Sequence, residues 1–421
     1  MSHFKSMDMF LNSDTVDTQG AQSHNALGYL QSLLTTLPLF QHLQDDLSAV
    51  EYQAQRYQRF EDILILGTGG SSLGGQAITV LQNSASPRLH FLDNIDAYTF
   101  TNVLNKISPS KTGVIAISKS GNTAETLMQL LTCFKVWQGL NLTDHFLVVS
   151  EAGNNAIREV SAAFALPTLD HPSSIGGRYS AFTVVGMLPG LIAGIDVHSI
   201  RQGAAEVLTN LRQATIQDCA PLLGALMHVS LQKQGVTQSV LLTYCDRLKL
   251  LASWYCQLWA ESLGKKDAKG QPQGTTPIQA TGATDQHSQL QLYLDGPRDK
   301  FFTVLTLAQQ QPLPVVQTLA FRHPALTTLQ GKTMGDLMMA EQRATIDTLR
   351  LHKCAVRELQ IKQLTPKNLG ALMMHFILET LAAAYLLEVN PFDQPAVEGG
   401  KILALDKTSF RLPQFDKNPA A

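Results

Sequence analysis

The chain has 421 residues, 44% of them hydrophobic and 16% charged, with a formal net charge of −2. That is length for two or three domains and enough apolar side chain for sizeable cores. The near-even balance gives no general field to attract nucleic acid or an anionic membrane, so neither is expected as a partner, while a small anion needs only a few local donors. Cys133, Cys219, Cys245, Cys256 and Cys354 are odd in number and form no CxxC pair. They read as reduced thiols of a cytoplasmic protein rather than a disulfide framework or a zinc site.

The first fourteen residues carry acidic side chains and no apolar stretch, unlike a secretory signal. Residues 1–45 read as a helical segment. An α/β rhythm follows: short apolar strands at Ile63–Leu66, Leu89–Leu92, Val114–Ser118 and Phe146–Ser150, with helical patterns between them. This predicts a parallel sheet covered on both faces. The uncharged run from Arg178 to Asp196 contains Pro189 and three glycines and predicts a buried helix and turn, not a membrane span. The rhythm restarts with a strand at Ser239–Tyr244, a helix over 247–263 and a strand at Phe301–Leu307, and a long apolar helix covers 367–388. The stretch Lys265–Thr276 is the best candidate for a flexible insert. The expected units are 1–45, 46–200, 201–365 and a helix and tail over 366–421.

Two loops carry chemistry. Ser118-Lys-Ser-Gly-Asn-Thr-Ala-Glu-Thr126 follows a buried strand and opens a helix. Gly121 permits unusual backbone conformations, Asn122 with Glu125 has capping-box spacing, and Ser118, Ser120 and Thr123 add hydroxyls. Together with a helix N-terminus these make a cradle for one phosphate, at the strand end where open α/β sheets bind ligands. The same spacing also describes an ordinary, well-capped strand-to-helix turn. The earlier loop, Gly67-Thr-Gly-Gly-Ser-Ser-Leu-Gly-Gly75, lets backbone approach a ligand but has Ser72 where a dinucleotide fingerprint needs glycine, and it lacks the GK[ST] of a P-loop.

Titratable candidates are spread along the chain. Glu261 ends a helix carrying Trp254, Tyr255, Leu258 and Trp259, apolar surroundings that would suit a general base, although taken alone it reads as a solvated glutamate near a helix end. Arg178 follows Gly176-Gly177, a turn able to place one guanidinium in a cleft, though an ion pair explains it equally well. His287 lies in Thr284-Asp-Gln-His-Ser288 and Lys401 closes Phe392-Asp-Gln-Pro-Ala-Val-Glu-Gly-Gly-Lys401; taken alone, the first reads as a structural histidine and the second as a lysine on a surface turn. His375 and Glu379, four apart, read as structural. The twelve histidines show no HxH or HxxxH pair, so a metal site is poorly supported.

Taken in order, these stretches resemble the phosphoglucose isomerase family in its short bacterial form, from about Ile63 to Lys401. Ile175-Gly-Gly-Arg-Tyr-Ser180 and Phe392–Lys401 look like the family's two signatures, supported by Gly67–Gly74, Ser118–Thr123 and Glu261-Ser-Leu-Gly-Lys265. The resemblance implies an α/β protein of two sugar-isomerase (SIS) subdomains, each a doubly wound parallel sheet, with helical terminal segments. It implies reversible interconversion of glucose 6-phosphate and fructose 6-phosphate, in glycolysis and gluconeogenesis, without metal or organic cofactor. Ser118, Ser120, Thr123 and the backbone at Lys119 would hold the phosphate, and Gly70, Ser71 and Gln394 would line the sugar pocket. Glu261 would move the proton between C1 and C2, and Arg178 would stabilise the cis-enediolate. His287 would open the ring beside Lys401, as part of a homodimer in which this histidine comes from the neighbouring subunit. Ala396 stands where the family usually has glycine, and the Glu261–His287 segment is a few residues longer than in close bacterial relatives. A bifunctional glucose/mannose phosphate isomerase and a non-catalytic SIS-domain sugar-phosphate sensor are the competing expectations.

Overall fold

The computed structural model describes residues 18–82, 85–308, 314–316 and 322–397. Helix α1 (Ala21–Thr36) precedes a five-stranded sheet of β1 (Asp62–Leu66), β2 (Arg88–Leu92), β3 (Thr112–Ile117), β4 (Phe146–Ser150) and β5 (Thr168–Asp170). All pairings are parallel, in the order β2-β1-β3-β4-β5. Helix α2 (Leu73–Thr79) follows β1, and α3 (Ala124–Val136) follows β3. The three central strands are buried along their whole length. Their alternate residues feed two separate cores: Ile63, Ile65, Ile115, Ile117, Leu147 and Val149 face one way, Leu64, Leu66, Val114, Ala116, Phe146 and Val148 the other. Such double burial is what makes their sequence a continuous apolar run instead of an alternating one.

Three helices, α4 (Val184–Ile192), α5 (Val197–Leu211) and α6 (Ala220–Lys233), lead to the second sheet. It comprises β6 (Gln238–Thr243), β7 (Thr276–Thr281), β8 (Lys300–Leu307) and β9 (Ala355–Ile361), with α7 (Lys249–Leu263) between β6 and β7. The order β7-β6-β8-β9 is again all parallel. Counted from its own first strand it reads 2-1-3-4, the order of the first four strands of the other sheet. The two subdomains therefore share a topology that no residue repeat reveals.

Three strands lie outside the sequence expectation. The three-residue β5 offers little apolar pattern. β7 holds Pro277, tolerated because it is an edge strand. β9 carries Arg357, fully buried, in the middle of its pattern. The expected flexible insert is instead a closed turn leading into β7. Lys266 pairs antiparallel with Pro272. The Asp267 carboxylate accepts the amide N–H groups of Lys269 and Gln271 at 2.9 and 2.8 Å, and the Gln273 side chain at 2.9 Å.

One continuous core fills the space between the sheets, built from α1, α4, α5, α6, α7 and the tail helix α8 (Pro366–Leu386). The most apolar window of α8 has a mean hydropathy of 1.6 and is 94% buried, the signature of a core helix. His375 and Glu379 sit inside it, as a structural pair. Arg357 grips the Glu379 carboxylate at 3.0 and 2.5 Å, with His375 at 3.1 Å and His228 at 3.2 Å. All four side chains are almost completely buried, so each needs the others. The expected Gly-containing turn after Asn390-Pro391 begins within the described residues, and Glu398–Lys401 lie outside them.

Helices α5 and α8 meet backbone to backbone. A Cβ at Gly203 would overlap the Lys367 carbonyl, and one at Gly370 the Ile200 carbonyl. Gly370→Ala should therefore lower stability by about 1–3 kcal/mol through overpacking. Denaturant titration checks this; an unchanged unfolding midpoint would mean that the helices are free to separate.

Candidate active site

The site begins where the chain reverses its direction of travel across the first sheet. β1 is flanked by β2 and β3, so the loops after β1 and β3 leave the sheet side by side at its carboxyl edge. They touch directly: a Cβ at Gly67 would lie 2.9 Å from the Ile117 carbonyl oxygen.

In the loop after β3, Ser118 is buried and its hydroxyl donates to Thr123 Oγ1 at 2.9 Å. Gly121 has φ +68° and packs against the Asn155 side chain, so any Cβ there would be both strained and blocked. The anticipated capping box does not form. Asn122 Oδ1 accepts the Ala156 N–H at 3.0 Å, and Ile157 N–H donates to the Gly121 carbonyl at 2.9 Å. The loop is thus laced to the one after β4. Helix α3 starts at Ala124 with Thr123 as N-cap and no side chain capping its first turn. Its N–H groups and positive end face the loop, together with the hydroxyls of Ser118, Ser120 and Thr123. The Lys119 ammonium turns to Glu151 at 3.3 Å.

The loop after β1 is clamped between two other elements. Gly70 presses on the backbone of Gly177, where a Cβ on Gly70 would overlap the chain, and its carbonyl accepts the Ser180 hydroxyl at 3.1 Å. Gly69, at φ +55°, faces Gln257, whose Nε2 would lie 2.9 Å from a Cβ. Ser71 follows in the same short turn, half-buried.

Glu261 projects from the last turn of α7 and is the focus of this contact. Its Oε2 receives Arg178 Nη1 at 3.3 Å and the Gln394 side-chain amide, and its Oε1 receives Gln257 Nε2 at 3.0 Å. The Arg178 side chain is 2% exposed against 32% for Glu261. Arg178 Nη2 also donates to the Pro391 and Asp393 carbonyls, the latter at 3.0 Å. Tyr179 OH donates to the Pro391 carbonyl at 3.2 Å. Gln257 escaped the sequence reading. Its i, i+4 spacing to Glu261 was the available signal, but a glutamine on an amphipathic helix carries no chemical flag. Thr68 Oγ1, Gln257 Oε1 and Arg178 Nε are buried without a hydrogen-bond partner among the described residues, all around this cleft.

His287 is not part of this convergence. Helix α7 runs antiparallel to β7, with Ser253 bonded to Gln279 at 2.6 Å and Trp259 to Thr275 at 3.0 Å. Glu261 therefore lies past the start of β7 and the exposed His287 past its end, separated by a strand roughly 17–20 Å long. Lys401 lies outside the described residues, whereas Ala396 is exposed beside Gln394.

With this geometry in view, comparison with known proteins gives consistent matches. Residues 24–412 match the model of the family described as phosphoglucose isomerase. The glucose-6-phosphate isomerase of Carboxydothermus hydrogenoformans is 32% identical over 376 residues, which is 85% of this chain and 81% of that one. Among solved structures, a hypothetical protein from Thermus thermophilus has a TM-score of 0.78 at 33% identity, covering 92% of this chain and 90% of that one. A glucose-6-phosphate isomerase from Chlamydia trachomatis shares the fold with a TM-score of 0.76 at 22% identity, covering 90% and 77%.

A buried histidine sits beside the cradle. His171 follows β5, and its Nδ1–H donates to the Pro172 carbonyl at 2.9 Å, while Nε2 is buried without a partner among the described residues. Burial pushes its pKa from 6.5 down to about 4, with the Lys119 charge acting in the same direction. The unfolded chain therefore takes up the proton first. The contribution is complete above about pH 6.5 and is lost as pH falls towards 4. His228, also lowered by burial, adds to the same slope. His171→Gln should flatten, without abolishing, the fall in melting temperature across that window; a slope equal to wild type would show that His171 is not held neutral.

Proposed function

The chain belongs to the phosphoglucose isomerase family and interconverts glucose 6-phosphate and fructose 6-phosphate, and from that premise we propose how its residues divide the work. The observation that carries the assignment is the convergence of Arg178, Gln257 and Gln394 on the Glu261 carboxylate. The phosphate rests on the Ser118, Ser120 and Thr123 hydroxyls, the backbone at Lys119 and the N-terminus of α3, where a dianion finds free N–H groups. This anchors one end of the substrate, and the backbone at Gly70 and Ser71 lines the other.

Glu261 removes the proton from C2 of the open-chain aldose and returns it to C1, while the hydroxyl proton passes from O2 to O1, forming the ketose through a cis-enediolate. The reaction is symmetrical, so one carboxylate serves both directions. Arg178 stands at hydrogen-bonding distance from this base and faces the negative charge that develops on the enediolate oxygens. Its guanidinium is held by backbone carbonyls and needs no reorganisation when that charge appears. Gln257 and Gln394 fix the orientation of the carboxylate. Gly69, which a side chain could replace only by displacing Gln257, brings the pocket backbone up to it.

Ring opening falls to His287 of the partner subunit, with Lys401 beside it, in a homodimer with a shared active site. The separation of His287 from Glu261 by the length of β7 supports this, because one chain cannot bring them together without breaking α7 from its sheet. The five unpaired cysteines fit a reducing, cytoplasmic setting, and the substrate pair fits glycolysis and gluconeogenesis.

Glu261→Gln should lose several orders of magnitude in kcat with KM little changed, and removal of Arg178 about 10²–10³ in rate, as for an oxyanion donor. Near-normal turnover of Glu261→Gln in a coupled glucose 6-phosphate assay would dismiss it as the base. Subunit mixing tests the shared site. Glu261→Gln and His287→Ala, each inactive alone, should regain activity when refolded together, because one of the two hybrid sites is then intact. Failure to complement in a verified mixed dimer would place both residues in one chain's site.

A further inference from the structure

Lys265 lies four residues beyond Glu261, and its side chain is 8% exposed. All three of its donors are used on the turn that follows α8. It contacts the Asn390 carbonyl, the Asp393 carbonyl at 2.7 Å and Asp393 Oδ1 at 2.7 Å. The same turn is bound by Arg178, through the Pro391 and Asp393 carbonyls, and its next residue, Gln394, reaches Glu261. Asn390 Nδ2 holds the other Asp393 oxygen at 3.0 Å. The Asp393 carboxylate therefore hangs on a residue whose backbone Arg178 already grips at 3.0 Å, and Lys265 is the cation directly paired with it.

We infer that Lys265 is a positioning residue which neutralises Asp393, so that Arg178 and Gln394 remain on Glu261 instead of being drawn to a competing carboxylate. This rests on the proposed roles of Glu261 and Arg178. Without Lys265, the half-exposed Asp393 carboxylate would lose its cation while remaining near the buried Arg178 guanidinium, whose charge already acts on it. The guanidinium would swing from the base and from the enediolate position towards Asp393, and the turn carrying Gln394 would lose three of its ties. Phosphate anchoring, set on the first sheet, would be untouched. The damage should thus appear in kcat and spare KM.

The discriminating observation is rescue. A purely structural lysine would make further substitution of its partner neutral or harmful, whereas a lysine that masks a harmful charge becomes dispensable once the charge is gone. The experiment compares Lys265→Met, Asp393→Asn and the double variant in the full-length protein, assayed with glucose 6-phosphate beside wild type and Glu261→Gln. Lys265→Met should lose about 10- to 100-fold in kcat with KM within about threefold. Asp393→Asn alone should lose less than about fivefold, and the double variant should recover at least about tenfold over Lys265→Met, the non-additivity expected of contacting residues. If Lys265→Met does not fold, Lys265→Gln takes its place in the cycle. Wild-type kcat in Lys265→Met, or a double variant no better than Lys265→Met, overturns the inference. Near-normal turnover in Glu261→Gln would instead overturn the assignment on which it rests.

Discussion

A buried guanidinium can exist only where several parts of a chain agree to surround it, and Arg178 imposes that condition here. Taking such a charge out of water costs several kcal/mol unless carbonyls and carboxylates replace the lost hydration. Arg178 finds them on two separated stretches, Glu261 at the end of α7 and Pro391 and Asp393 in the turn beyond α8, while its own turn leans on the loop after β1. The contact between Gly70 and Gly177 is possible only because Gly70 carries no side chain. The first subdomain, the second and the tail therefore meet at one charge, and the same arrangement that satisfies it presents the Glu261 carboxylate in a fixed orientation. Stability and chemistry make the same demand on these residues.

The duplicated topology explains where the parts of the site can lie. The loops at the carboxyl edge of the first sheet form the proposed phosphate cradle. The corresponding edge of the second sheet carries the turn with His287, at the far end of β7 from Glu261. Each chain thus holds the proposed cradle and the Glu261 carboxylate in one place and the His287 imidazole in another. On the proposed division of roles, a pair of chains would complete both sites, and the exposure of His287 is compatible with that proposal.

Much of the fold was legible in the sequence because its central strands are buried on both faces. DILIL, TGVIAI and FLVVS admit few other readings. β7 and β9 were not legible: one is a half-exposed edge strand with a proline, and the other hides an arginine whose partner, Glu379, lies on a helix twenty-two residues away. Within the site, glycine spacing marked both loops, and Gly176-Gly177 marked Arg178. The misread capping box at Asn122 shows the limit of local pattern, since its side chain is claimed by the Ala156 N–H of another loop. The hold of Lys265 on Asp393 depends on tertiary geometry that no spacing rule encodes, while that of Gln257 on Glu261 has i, i+4 spacing but no chemical flag to single it out. The roles assigned to His287 and Lys401 came from the family resemblance alone.

The central claim is that Glu261 carries a proton between C2 and C1, and isotope exchange addresses it most directly. Isomerisation of fructose 6-phosphate in deuterium oxide, followed by NMR, should place solvent deuterium at C2 of the glucose 6-phosphate formed by the wild-type protein. Glu261→Gln should incorporate none above the uncatalysed background. Turnover or deuterium incorporation undiminished in Glu261→Gln would contradict the account, whereas wild-type product lacking deuterium would mean only that Glu261 returns its proton before it exchanges with solvent.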